Sequence, residues 1–366
     1  MRSMALFFIA CMSLIAGCGG DASNPSLEHP NEDAGDARRV TLYTSVDDTF
    51  AKMVVKQFEE ETGITVDVLG DTEATKTTGL VTRLQSEKNN PTCDVWWASE
   101  PMGTILLARD GVLETGGMEG TVSEDWPSTF RAQDWTWVGT ALRRRVIVYA
   151  TDRVDTPPTS MHELIDPEFR GRVGMARPQF GTTRIHMALL AAKWGVGGLE
   201  DWLEQLKANK VRLYDGNATV VRAVAMGEID IAMTDTDDVW SGQENGWDVA
   251  FTTDPSYDPG GLSGDNRYVL PADQILIPNT VAIVKGAPNP DLAKQLAAYL
   301  SSPKVERLLY ESTSGNHPVD AALRAELGLP PLSIDGDDGS SGLPSYADAS
   351  MLVEQAMDAC ERMLGP

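Results

Sequence analysis

"RVTLYTSVDDTFAKMVVKQFEEETGITVDVLG" (residues 39–70) decides the fold. Its opening "RVTLYTS" alternates apolar and polar positions, the period of a half-buried strand. Phe50, Val54 and Phe58 then recur at i, i+4 and i+8, one face of a helix, and Gly63 supplies a C-terminal stop. "ITVDVLG" (64–70) reads as a second strand. Outward, "TEATKTTGLVTRLQSEKNN" (72–90) is helical, with Leu80 and Leu84 on one face, and "CDVWWA" (93–98) is a third strand. "MGTILLARDG" (102–111) is a short helix ended by Gly111. Such β-α-β-α-β alternation calls for an open sheet with helices on its faces and right-handed crossovers. Trp96 and Trp97 are adjacent in a strand, so one is expected to be buried and the other to face a cleft.

The pattern then restarts. Strands are expected at "RRVIVYA" (144–150), "GRVGMA" (171–176), "VRLY" (211–214) and "EIDIAM" (228–233). They alternate with helices at 182–194, 199–209 and 217–226, so a second α/β lobe begins near residue 140. "QILIPNTVAIVKG" (274–286) returns as strands, and helices follow near 290–301 and 303–311. "GLPPLSIDGDDGSSGLPSY" (328–346) is a linker before a short helix at 347–364. "DGDDG" (335–339) begins like a calcium loop, but Tyr346 stands where the twelfth-position Glu belongs.

The 366 residues carry a net charge of -24, which argues against a nucleic-acid partner and against adsorption to anionic lipid. Arg2 followed by "MALFFIACMSLIAG" reads as a signal peptide over residues 1–17. "LIAGC" (14–18) resembles the lipobox of bacterial lipoproteins, which implies cleavage before Cys18 and lipidation of it, with residues 18–38 as a flexible tether. Cys93 and Cys360 would remain. They could pair in an oxidising compartment, or Cys93 could be a buried strand cysteine. There is no G-x-S-x-G, H-E-x-x-H or P-loop, and His29, His162, His186 and His317 are scattered, so no catalytic set is legible.

Ligands of open α/β sheets sit beyond the carboxyl ends of strands. The residues there are Thr44, Ser45, Asp47 and Asp48 after the first strand, and Ser99 and Glu100 after the third. "TDTDD" (234–238) follows the strand at 228–233. Gly181, Thr182 and Thr183 open one expected helix and Asn217 stands near the start of another, positions whose free N–H groups suit an anion. Arg143 precedes a strand. Carboxylates thus lie on one side, and helix N-termini with an arginine on the other.

"LYTSVDDTFAKMVVKQFEEETGI", "CDVWWASE", "RRRVIVYATD", "FRGRVGMARPQFGTT", "MGEIDIAM" and "IPNTVAIVKGAPNPDLAKQLAAYLSSPKVERLL" together resemble the extracellular solute-binding proteins of ABC importers, of the ferric-iron-binding type. The resemblance covers residues 39 to about 320. It implies a periplasmic-binding-protein fold of type II: two lobes, each an open mixed sheet flanked by helices, with the ligand cleft between them. Lobe 1 would comprise 39–138 plus 276–327 and lobe 2 139–275, with 328–366 as linker and C-terminal helix. It further implies a monomer in the periplasm or cell envelope, anchored through Cys18, that hands its solute to an inner-membrane permease and ATPase and is not an enzyme.

In ferric-binding members the metal ligands are a His, a Glu and two tyrosines. Matched by motif, these positions fall on Asp47, Glu100, Asp237 and Asp238. The anion-contacting positions fall near Gly181 and Thr182, with Asn217 and Arg143. Only Glu100 keeps the residue type. An all-carboxylate set suits Fe3+ or a divalent hard ion such as Mn2+, Ca2+ or Mg2+. Two chemistries therefore fit. In one, the four acids hold a hard metal and a companion anion completes its shell against Arg143 and Thr182. In the other, the acids hold the amine of a metal-free zwitterion such as an aminoalkyl-phosphonate, whose anionic end sits on Arg143, Thr182 and Thr183.

Overall fold

A computed structural model describes residues 38–71, 78–179, 181–252, 275–332 and 345–365. The signal peptide, Cys18 and nearly all of the tether (residues 1–37) lie outside the described residues, as does "DGDDG". The opening stretch folds as its periodicities require: β1 (Arg39–Thr44), α1 (Asp48–Thr62), β2 (Thr65–Gly70). Val54, Val55 and Phe58 bury one face of α1, and Gly63 closes the helix in the left-handed conformation at φ 65°. α2 (Thr78–Ser86), β3 (Val95–Ala98) and α3 (Pro101–Arg109) follow. β1 pairs in parallel with both β2 and β3.

The remaining elements are β4 (Val138–Ala150), β5 (Val173–Ala176), α4 (Gly181–Ala208), β6 (Arg212–Tyr214), α5 (Asn217–Ala225), β7 (Ile231–Asp235), α6 (Thr236–Glu244), β8 (Val249–Thr252), β9 (Leu276–Ile283), α7 (Pro290–Leu300), α8 (Pro303–Glu311), α9 (Ala321–Glu326) and α10 (Tyr346–Leu364). Strand order is β2-β1-β3-β9-β4-β7-β5-β6, with β8 paired to β4. Parallel triplets thus occupy the two ends, β2-β1-β3 and β7-β5-β6, and the antiparallel pair β4 and β9 crosses between them. This is the two-lobed α/β arrangement expected from the sequence.

The crossing strand β4 is longer than its alternation suggested. It begins at Val138, six residues before the expected start at 144, because a bulge between Thr140 and Leu142 breaks the period. Its first half pairs with β9 and its second half with β7 and β8. Ala141 sits in the bulge at φ 49°, and its N–H leaves the ladder to donate to Glu306 Oε1 at 2.9 Å. The same carboxylate accepts from the N–H groups of Val319 and Asp320 at 2.8 and 2.9 Å. One buried acid on α8 therefore fastens the bulge to the segment leading into α9. α4 is two helices joined at Gly195, φ 77°, which is why two separate periodic runs were visible there.

Trp96 and Trp97 are both fully buried, contrary to the expectation that one would face a cleft. Both faces of the sheet are covered by apolar layers, and the two indoles enter opposite ones. Trp96 Nε1 donates to Thr104 Oγ1 at 2.8 Å. Cys93 and Cys360 are buried and unpaired, so they form no disulfide. α10 packs along α4 and also touches α3, and Arg109 Nη1 donates to the carbonyl of Ser350 at 3.3 Å.

Burial outweighs the three N–H donors at Glu306 and pushes its pKa from 4.5 up to about 7. A carboxyl raised in the folded state favours folding most below the unfolded pKa. That contribution is lost as pH rises from about 4.5 to 7, by on the order of 3 kcal/mol. Thermal denaturation of wild type and Glu306→Gln across pH 4.5–8 checks this: the difference in stability between them should change across that window and level off above it.

Candidate functional site

The carboxyl ends of the two parallel triplets face one pocket of about 160 Å³. From the β1–β3 end come Asp47, which precedes α1, and Ser99, which follows β3. From the β5–β7 end come Ala176, Arg177, Gly181, Thr182, Thr183, Asn217, Asp235, Asp237 and Asp238. Arg143 of β4 and Asn279 of β9 lie on the crossing strands between them. This is the strand-end placement expected of a ligand site in open α/β sheets.

Asp235 organises the pocket. It ends β7 and is 2% exposed. Its carboxylate accepts from Thr182 Oγ1 at 2.6 Å, Asn217 Nδ2 at 2.9 Å, Arg145 Nη1 at 2.9 Å and Arg143 Nε at 3.4 Å. Burial works against its charge, but the two guanidinium groups and the Thr182 hydroxyl outweigh burial and hold its pKa below the ordinary carboxylate value. Arg143 is held in turn: Nη1 donates to Asn279 Oδ1 at 2.9 Å and Nη2 to the Ser99 carbonyl. Burial opposes the Arg143 charge as well, and Asp237, Asp235, Asp47 and Asp238 together more than offset it, raising its pKa. Arg145 Nε donates to Nδ1 of His186, whose pKa burial and Arg145 press well below its usual value, so the ring stays neutral.

Asp237 and Asp238 occupy the first turn of α6, where the positive end of the helix dipole favours carboxylates. One carboxylate oxygen from each of Asp235, Asp237 and Asp238 lies within 4.8 Å of the others. Asp237 is 3.8 Å from Arg143 Nε, and Asp238 Oδ2 accepts from Thr234 Oγ1 at 3.3 Å. Asp47 lines the same pocket from the other lobe and is exposed.

Glu100 is not brought into this group. It is the N-cap of α3, and its two oxygens accept from the N–H groups of Met102 and Gly103 at 2.5 and 3.0 Å. Burial raises its pKa, with those N–H groups pulling the other way. Both oxygens are engaged by the helix terminus, and Glu100 is absent from the residues lining the pocket. The expected anion seat is also differently filled. Arg143, Thr182 and Asn217 converge on a carboxylate, but it is Asp235 of this chain, and Thr183 Oγ1 takes Arg145 Nη2 at 3.4 Å.

Sequence reading missed Arg145, Asn279 and Asn316, and passed over Asp235 in favour of its neighbours. Arg145 was visible only as the third of three arginines, and strand alternation could have placed it on the same face as Arg143. Asn316 lies in a loop without periodic signal. It lines the pocket, 4% exposed, and its Oδ1 has no hydrogen-bond partner among the described residues.

A family model described as bacterial extracellular solute-binding protein matches residues 53–326. The chain belongs to this family. The family supplies the substrate-binding component of ABC importers, which makes a permease and ATPase its partners, and its members are transport proteins, not enzymes. Iron uptake protein A2 of Synechocystis is 28% identical over 283 residues, covering 70% of this chain and 75% of that protein. Iron-bound HitA of Pseudomonas aeruginosa superposes with a TM-score of 0.70 at 23% identity, covering 88% of this chain and 99% of its own. AfuA of Actinobacillus pleuropneumoniae, solved with fructose-6-phosphate bound, also reaches 0.70, at 17% identity and 89% and 98% coverage. The fold is therefore that of a periplasmic binding protein, and the pocket side chains must decide the cargo.

The two roles open to Glu100 separate by substitution. Glu100→Gln should lower stability by about 1 kcal/mol through the weakened cap, read by thermal denaturation. It should leave metal affinity within twofold, read by equilibrium dialysis against ferric citrate.

Proposed function

We propose that this solute-binding protein captures a hard cation, Fe3+ foremost and a divalent ion otherwise, through Asp237 and Asp238 with Asp47 arriving from the opposite lobe. The carrying observation is the approach of the Asp235, Asp237 and Asp238 oxygens to within 4.8 Å. Arg143 and Arg145 offset only part of the charge of Asp47, Asp235, Asp237 and Asp238, and the negative charge that remains attracts a cation. The Asn316 oxygen, without a partner among the described residues, supplies a further hard donor at the pocket wall. The iron-associated relatives support Fe3+ within that class. The zwitterion reading is disfavoured, because Arg143, Thr182 and Thr183, which would hold its anionic end, are engaged with Asp235, Asn279, Ser99 and Arg145.

Capture follows from the placement of the acids on two lobes. Asp47 belongs to the β1 end and Asp237 and Asp238 to the β7 end, so a cation ligated by all three lowers the free energy of the closed arrangement only. In this reading the lobes divide at 139 and 276, and the crossing strands β4 and β9 serve as the hinge. Monomeric action and a lipid anchor at Cys18, on the evidence of "LIAGC", complete the proposal and would keep the protein beside its permease.

Metal content by mass spectrometry on protein purified without chelator, and dialysis against ferric citrate or MnCl2, test the reading. Wild type should hold one ion per chain. Asp237→Ala/Asp238→Ala should lose at least 100-fold in affinity while melting within a few degrees of wild type. Unchanged binding by the double variant would refute the assignment.

A further inference from the structure

Asp235 stands where an N-cap belongs. Its backbone is extended, φ -109° and ψ 155°, yet its side chain accepts nothing from the N–H groups of α6. Glu100, after β3, does cap α3, whereas Asp47, at the start of α1, does not. At Asp235, forgoing the cap leaves helix donors to other partners, and the carboxylate instead turns toward the first residues of α4 and α5. There Thr182, Asn217, Arg145 and Arg143 present four donors to one buried anion. Two helix N-termini flanked by two arginines form a seat for a soluble anion. A free carbonate, phosphate or carboxylate entering it would have to expel Asp235 from all four contacts. The expelled side chain would join Asp237 and Asp238, which already lie within 4.8 Å of it.

We infer that Asp235 is a built-in counter-anion: the protein binds its cation without recruiting a soluble companion anion, because its own carboxylate fills that seat permanently. The inference rests on the hard-cation reading of the pocket and specifies how that cation is held. Asp235 fixes Arg143 and Arg145 on one side and adds its negative charge to the cluster of Asp237 and Asp238 on the other. It is a positioning residue for the basic wall and an anionic neighbour for the cargo. Cargo binding then needs no bicarbonate, phosphate or citrate as a co-ligand.

Native mass spectrometry of protein loaded from ferric citrate in bicarbonate buffer tests this directly. Wild type is expected to gain the mass of one iron and no anion, and its iron affinity should change less than twofold when bicarbonate is removed. Asp235→Ala, which vacates the seat, should lose at least tenfold in affinity without added anion. It should recover with bicarbonate or acetate and carry one such anion per iron. Wild type carrying one anion per iron would overturn the inference and leave the cation reading standing. Asp235→Ala binding iron normally without any anion would also overturn it. Wild type that takes up neither iron nor MnCl2 in any medium would overturn the cation reading and this inference with it. If Asp235→Ala does not fold, as judged by circular dichroism, the wild-type masses alone decide.

Discussion

Two guanidinium groups lie buried where β4 crosses between the lobes, and the Asp235 carboxylate is what makes their burial tolerable. Arg143 and Arg145 are each 6% exposed, and an isolated charge at such a site would be strongly destabilising. Because the partner comes from β7 and the donors Thr182 and Asn217 come from α4 and α5, one carboxylate ties four elements of one lobe together. Arg143 extends the tie across the crossing strands, through Asn279 of β9 to the Ser99 carbonyl beyond β3. The rest of the pocket is arranged around this knot. Asp237 and Asp238 follow Asp235 into α6, so their positions are fixed by the same strand end.

The knot also explains why a family that shares its fold across different cargoes can diverge at the pocket. The fold supplies strand ends, helix N-termini and a crossing pair of strands, and none of these names a ligand. Which donors remain available once internal pairs are made is a property of the side chains. Here the basic groups are bound chiefly by the protein's own Asp235, and Asp237 and Asp238 of α6 line the pocket beside them. That asymmetry is the basis for proposing a cation as the cargo.

The fold was largely legible because its elements are periodic and punctuated: Phe50, Val54 and Phe58 with Gly63 identify α1 without further help. The losses have local causes. The bulge at Ala141 concealed the first half of β4, and the six residues of α9 are too few for a helical period to show. One of Trp96 and Trp97 was expected at a cleft, and both are buried because the sheet is covered on both faces, where alternation no longer separates inside from outside. At the site, strand-end logic found Asp47, Arg143, Thr182, Thr183, Asn217, Asp237 and Asp238 at the pocket wall. Glu100, also expected there, spends its carboxylate on the cap of α3, and only the hydrogen bonds show which use a residue that opens a helix makes of it. Asp235 was overlooked. Nothing in its local sequence separates it from Asp237 and Asp238, and it acts as the partner of two arginines 90 and 92 residues away.

The most direct measurement is a crystal structure of the iron-loaded protein with anomalous scattering collected at the iron edge. The account predicts a single anomalous peak bounded by Asp47, Asp237 and Asp238, with Asp235 still bonded to Arg143 and Arg145 and no ordered anion between them and the metal. A peak remote from these acids, or an anion on Arg143 with Asp235 displaced from it, would contradict it.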